Sequence, residues 1–238
     1  MIRYRITTSG LTLLLLTLIL PSPANAFLDA SQPEQAAMQH WLRVLEDFAN
    51  NKGEIDFQRL ALYPEDLYAY TAFLSAYSPK SHPTLFPTTE HALAYYINAY
   101  NALSIKGLLD YQVPEKLKGV TAYRFFSVSR HTLGGERITL KSLRKDYVYA
   151  PKEPRAHFAV SSHCVSCPIL SRTPYLAATL NEQLDRATQQ YLNNSEYVTV
   201  SHQEKILWLS EYFADFSKDI LGSKTALMDF INPYLTQL

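Results

Sequence analysis

Ala94-Tyr-Tyr-Ile-Asn-Ala-Tyr-Asn-Ala-Leu-Ser-Ile105 contains no charge, no glycine and no proline, and the first charge after it is Lys106. The stretch sits inside a predicted helix from about Thr89 to Tyr111. Thr88 is placed to cap its start, and Glu90 complements the positive end of the helix dipole. A helix that is apolar nearly all round belongs in a core. This one is therefore the expected centre of the fold. Asn98 and Asn101 interrupt the apolar surface and, three residues apart, share a face. Buried amides need hydrogen-bond partners. Two of them in a core helix either brace neighbouring backbone, the commoner case, or line a site.

Outward from this helix, residues 34–50 have helical spacing, with Met38, Trp41, Leu42, Leu45 and Phe48 on one side. Pro64 to Tyr77 reads as another helix, with Pro64 at the first helical position and Glu65 and Asp66 in the first turn. Beyond Pro114, Tyr123–Val128 and Arg137–Thr139 read as strands joined across Gly134-Gly135. Leu140–Tyr147 reads as a short helix and Arg155–Ser161 as a buried strand. Pro174–Leu192 has amphipathic helical spacing. Tyr197–Ser201 and Lys205–Leu209 form a last strand pair, and short helices are expected from Ser210 to Leu221 and from Ser223 to Leu235. The expected fold class is α+β: a helix-rich N-terminal part, with its buried central helix packed on a small antiparallel sheet.

The first 26 residues read as a signal peptide. Arg3 and Arg5 form the basic region, Leu11–Leu20 the apolar region, and Ala24-Asn-Ala26 the small-x-small cleavage site. Such an apolar run is shorter than the roughly 20 residues that span a bilayer as a helix. Residues 27–238 are then expected to form one domain, exported to the periplasm or secreted, with no stable membrane anchor after cleavage. Removing two of the 22 basic residues against 22 acidic ones leaves a net charge of −2. There is no basic run or stripe, so no nucleic-acid partner is expected. There is no phosphate loop, dinucleotide fingerprint or HExxH pattern, and no cofactor or metal is expected. Of the 17 tyrosines only Tyr4 falls in the leader, so the rest are available for core packing or an aromatic binding surface.

Chemistry concentrates in one stretch, His157-Phe-Ala-Val-Ser-Ser-His163-Cys164-Val-Ser-Cys167-Pro168, which holds both cysteines of the chain. Four readings compete. A cysteine nucleophile would use His157 or His163 as base, with Asn98 or Asn101 orienting the histidine or donating to an oxyanion, as in a cysteine-dependent hydrolase or acyltransferase. The order of residues differs from papain-like and transglutaminase-like folds, where the cysteine precedes the histidine and lies on the helix. A Cys-x-x-Cys pair in an exported protein also suits thiol–disulfide exchange. His157, His163, Cys164 and Cys167 are ligand types suited to zinc, although two histidines six apart on an extended run do not readily converge. The fourth reading is a non-catalytic exported domain that binds a peptide, a glycan or another protein.

Four blocks together resemble the domain-of-unknown-function 547 family. They are Ala94-Tyr-Tyr-Ile-Asn-Ala-Tyr-Asn-Ala-Leu103; Gly134-Gly135 with Ile138-Thr-Leu140; Glu153-Pro-Arg-Ala-His157-Phe-Ala-Val160 running on to Ser166-Cys167-Pro168; and Leu209-Ser210 through Phe213 to Asp219. They cover about residues 90–220. The family's second cysteine position falls on Ser162, its acidic position after the Gly-Gly strand on Arg144, and an aromatic position of the last block on Asp215. The resemblance implies no established reaction. Because Cys167 matches the family's Cys-Pro whereas Cys164 does not match a family cysteine, Cys167, His157, Asn98 and Asn101 are the candidate catalytic residues.

Overall fold

The computed structural model describes residues 33–114, 117–162, 166–201, 203, 206–213 and 224–236. The expected leader, His163, Cys164 and Asp215 lie outside them. Helix α1 runs Pro33–Phe48 and buries Trp41, Val44, Leu45 and Phe48. Helix α2, Phe57–Leu62, is capped by Asp56, whose carboxylate accepts from the Arg59 N–H. Helix α3 spans Glu65–Ala76, with Pro64 as its cap residue rather than its first helical one. Helix α4, Thr89–Asp110, starts where Thr88 accepts the His91 N–H. Every residue from Leu93 to Ile105 on α4 is buried, as the charge-free sequence requires. Its packing partners include α3 and the helical segment 140–148.

Residues 119–128 are helical: α5, Gly119–Tyr123, runs into a single π turn, Arg124–Val128. The strand expected at Tyr123–Val128 is thus corrected. Its aromatic and β-branched residues suggest a pleat, but two adjacent residues turn inward, Phe125 buried against Tyr111 and Phe126 half-buried on the same core, while Tyr123 and Val128 face solvent. A period-2 strand would have buried alternate residues. The first hairpin pairs β1, Arg130–Leu133, with β2, Glu136–Thr139. Gly134 and Gly135 both have positive φ, at 54° and 85°, as a two-residue hairpin turn demands. The N–H groups of Gly134 and Gly135 donate to the Leu74 and Ser75 carbonyls. The turn therefore caps the C-terminus of α3, and a side chain at 134 would collide with Ser78.

Helix α6, Leu140–Leu143, again continues as a π turn, Arg144–Val148. The expected buried strand at Arg155–Ser161 is a 3₁₀ helix, Pro154–Ala159, followed by extended backbone. Proline at its first position and the Glu153 side chain accepting the Arg155 N–H favour that turn. Arg155 then joins Glu153, Asp185 and Asn181, stapling the segment to α7, Leu180–Leu192. The second hairpin pairs β3, Val198–Ser201, with β4, Ile206–Leu209. A helix at Lys224–Ile231 follows. The fold is α+β and helix-rich, and the strands among the described residues form two separate hairpins.

Among the described residues two apolar clusters result. The larger gathers α1, α3, α4 and α6; the smaller gathers Phe158, Tyr191, Leu192, Val198, Phe213 and Ile231. Ala156, Ala159 and Val160 belong to the first and Phe158 to the second, so the 154–160 segment is wedged between them. Among the described residues no helix is long and apolar enough to cross a membrane.

Candidate functional site

The two asparagines of α4 are consumed by backbone. Asn98 Oδ1 accepts from Trp41 Nε1 at 3.2 Å and from the Tyr175 N–H at 2.9 Å, and Nδ2 donates to the Tyr175 carbonyl at 2.7 Å. Asn101 Nδ2 donates to the Ala159 carbonyl at 3.0 Å, and its Oδ1 accepts from the Ser161 N–H at 2.9 Å. Each amide thus imitates a β-ladder partner for a segment that pairs with no strand among the described residues. Asn98 positions the entry to α7, and Asn101 positions the strand-like exit of the 154–159 turn.

That exit leads to Cys167. The following residues are held from the other side by α7, where Tyr191 Oη donates to the Ser166 carbonyl at 2.7 Å. Cys167 is disulfide-bonded. The chain has one other cysteine, Cys164, the only partner an intramolecular bridge can have. Cys167 and Ser161 line a cavity of about 720 Å³, together with Lys52, Glu54, Phe57 and Tyr197. The opposite wall is a tight turn in which Asn50 Oδ1 accepts the Lys52 and Glu54 N–H groups and Asn50 Nδ2 donates to Glu54. Gly53, at φ 72°, closes this turn onto Ile169 and Leu170; a Cβ there would lie 2.6 Å from the Leu170 nitrogen. Close backbone approach of this kind is open only to glycine.

His157 sits elsewhere. It is buried, with its ring stacked on Tyr149 at 3.5 Å between centroids and 14° between planes. Its carbonyl accepts from Tyr212 Oη at 2.6 Å. Burial, reinforced by the positive charge of Arg144, pushes the imidazole down to about 3, so it is neutral at pH 7. Arg144 occupies the position where the resembled family carries an acid, and its guanidinium lies 5.9 Å from the Tyr149 ring centre. Among the described residues lining the Cys167 cavity, neither His157 nor either asparagine appears. The structure therefore links Asn101 to the cavity wall through the Ser161 backbone. Asn98 is tied to Tyr175, and His157 is part of an aromatic stack.

Ser162, at the family's second cysteine position, shares a hydrogen bond with Tyr100 at 2.7 Å. Among the described residues no group of three or more His, Cys, Asp or Glu is placed to hold a metal; His163 and Cys164 fall outside that set. The cavity's other walls, Lys52, Glu54, Phe57 and Tyr197, were not among the candidates. The Asn-Asn-Lys-Gly run at 50–53 marks a turn in sequence, but nothing there says what the turn faces.

No curated protein and no solved structure matches the chain. The helix with its two bracing asparagines, the Gly-Gly hairpin, the 154–160 wedge, Cys167 and α7 all lie within residues 86–192, which match the family described as Protein of unknown function, DUF547, and it is this family that the chain resembles.

Proposed function

We propose that this is an exported protein whose Cys164–Cys167 pair exchanges disulfides with thiol-bearing peptides. The observation that carries the reading is a disulfide-bonded Cys167 on the wall of a cavity of about 720 Å³. A bridge across a four-residue loop contributes little through chain entropy, so stability alone is a weak reason for it. The cysteine-hydrolase reading requires a free thiolate beside a base. Cys167 is bonded, His157 is stacked on Tyr149, and both amides serve backbone.

In the exchange, a substrate thiolate attacks the Cys167 sulfur. The protein S–S bond breaks as a mixed S–S bond forms, and the Cys164 sulfur leaves as a thiolate that takes up a proton. A second substrate thiolate then attacks the mixed disulfide. The substrate leaves oxidised and the protein retains two thiols and two electrons; a small-molecule disulfide such as oxidised glutathione would restore the bridge. Phe57 and Tyr197 offer apolar contact to the substrate chain, and Glu54 and Lys52 offer charge pairing.

Equilibration with glutathione redox buffers tests the proposal. The expected midpoint lies within the glutathione range, about −180 to −260 mV, and a midpoint below about −300 mV would mark a structural bridge and overturn it. Cys164→Ser, given a peptide in its disulfide form, should retain it as a mixed disulfide on Cys167, whereas Cys167→Ser should not. Export is supported by the Arg3/Arg5, Leu11–Leu20 and Ala24-Asn-Ala26 series. N-terminal sequencing of protein from the extracytoplasmic fraction should begin at Phe27; soluble cytoplasmic protein retaining Met1 would exclude it.

A further inference from the structure

A second cavity, about 610 Å³, opens between α3, α4 and β1. It is separate from the cysteine cavity and has no residue in common with it. Its size falls in the range of small-ligand sites, about 300–1,000 Å³. We propose that this cavity binds a pyranose-bearing glycan.

Three features point to that chemistry. The mouth carries two tyrosines, Tyr68 at 45% and Tyr111 at 36% exposure. A tyrosine presents an apolar face with a polar tip. A pyranose is built the same way, with apolar C–H faces and a rim of hydroxyls.

The polar groups come in donor–acceptor pairs. Lys106 Nζ donates to Asp110 Oδ2 at 2.6 Å and lies 5.7 Å from the Tyr68 ring centre. The ammonium and carboxylate thus present further N–H groups and a second oxygen side by side. Each sugar hydroxyl both donates and accepts, so two vicinal hydroxyls can bridge such a pair. Tyr111 Oη and Ser129 Oγ, 2.5 Å apart, form a second hydroxyl pair of the same kind.

The net charge of the lining is small, +1, from Lys106 and Arg130 against Asp110. Lys106 and Asp110 neutralise one another. His131, which lines the cavity, is held neutral by burial and by the Lys106 charge against the opposing pull of Asp110. Arg130, the remaining cation of the lining, is exposed and keeps its charge, donating one N–H to the neutral Arg137 carbonyl at 3.4 Å. A cavity with one ion pair, one hydroxyl pair and aromatic rings suits a polyol, and a single excess cation, Arg130, is not the convergent cluster of positive groups that a phosphate calls for.

Saturation-transfer NMR and calorimetry on the full exported chain, with maltose and N,N′-diacetylchitobiose as probes, test the inference. At least one disaccharide should bind with a Kd in the millimolar range or tighter. Tyr68→Ala and Asp110→Ala should each weaken it at least about tenfold, the equivalent of roughly 1.4 kcal/mol. Tyr63→Ala, at an exposed tyrosine outside the cavity, should bind as the parent does. The melting temperature of each variant, measured alongside, separates lost binding from lost folding. Should neither probe saturate at millimolar concentration, or should Tyr68→Ala and Asp110→Ala bind like the parent while folded, the cavity is not a glycan site. Reduction of the disulfide should leave sugar binding intact, so the outcome is independent of the thiol chemistry.

Discussion

Replacing Asn98 with alanine is expected to abolish stable folding at 37 °C. The change strips hydrogen bonds from three protein groups: Trp41 Nε1, and the N–H and carbonyl of Tyr175. Asn98, Trp41 and Tyr175 are all at most 3% exposed, so water cannot replace the amide without opening the core. Each buried polar group left unpaired costs about 1–3 kcal/mol. Three of them sum to about 3–9 kcal/mol, against total stabilities of about 5–15 kcal/mol for ordinary domains. Urea unfolding followed by circular dichroism provides the measurement. A midpoint within experimental error of the parent would mean that the bracing contributes nothing. Asn101→Ala orphans two groups, the Ala159 carbonyl and the Ser161 N–H, and should be less severe. It should also loosen the Cys167 cavity wall, because Ser161 lines it.

Acid should destabilise the protein well above the range in which carboxylates titrate, and His157 is the reason. Its imidazole is pushed from 6.5 to about 3 by burial and by Arg144. In the unfolded chain the same ring gains a proton near pH 6.5, so between the two values the unfolded state binds more protons than the folded one. Its contribution to stability is therefore complete above pH 6.5. It declines as pH falls and is lost once the folded value near 3 has been passed. At 1.36 kcal/mol per unit, the loss between pH 7 and pH 4 is about 3 kcal/mol from this residue alone. His131, lowered to about 4, acts in the same direction. Urea midpoints at pH 7 and pH 4 report the difference, and His157→Phe, which keeps a ring against Tyr149, should flatten the profile between them. If the parent and His157→Phe lose equal stability over that interval, His157 is not the titrating group.

Much of the frame was legible because it depends on local pattern. A run without charge from Ala94 to Ile105 can only be a buried helix. Two glycines between short polar-apolar runs can only be a tight hairpin, since both turn positions require positive φ. That the asparagines would seek backbone or a site also followed from burial alone. Which backbone they found did not, because the partners of Asn98 and Asn101 lie 57 to 77 residues away in sequence. Nothing local to α4 names Tyr175 or Ala159.

Local preference was overridden where tertiary packing competed with it. Tyr123–Val128 and Arg155–Ala159 carry strand-like residues but pair with no strand among the described residues. Their backbone groups instead close helical turns, while Phe125 and Phe158 reach a core. The cysteine cavity is the extreme case. The Cys-x-x-Cys spacing was plain in the sequence, yet the walls around Cys167 come from residues 52–57, 161, 168–170 and 194–197. A cavity assembled from four separate segments exists only when the chain is folded. Sequence determined which residues carried chemistry; the fold alone decided that His157 would be sealed in an aromatic stack and Cys167 set on a cavity wall, because burial and proximity are properties of the packed chain.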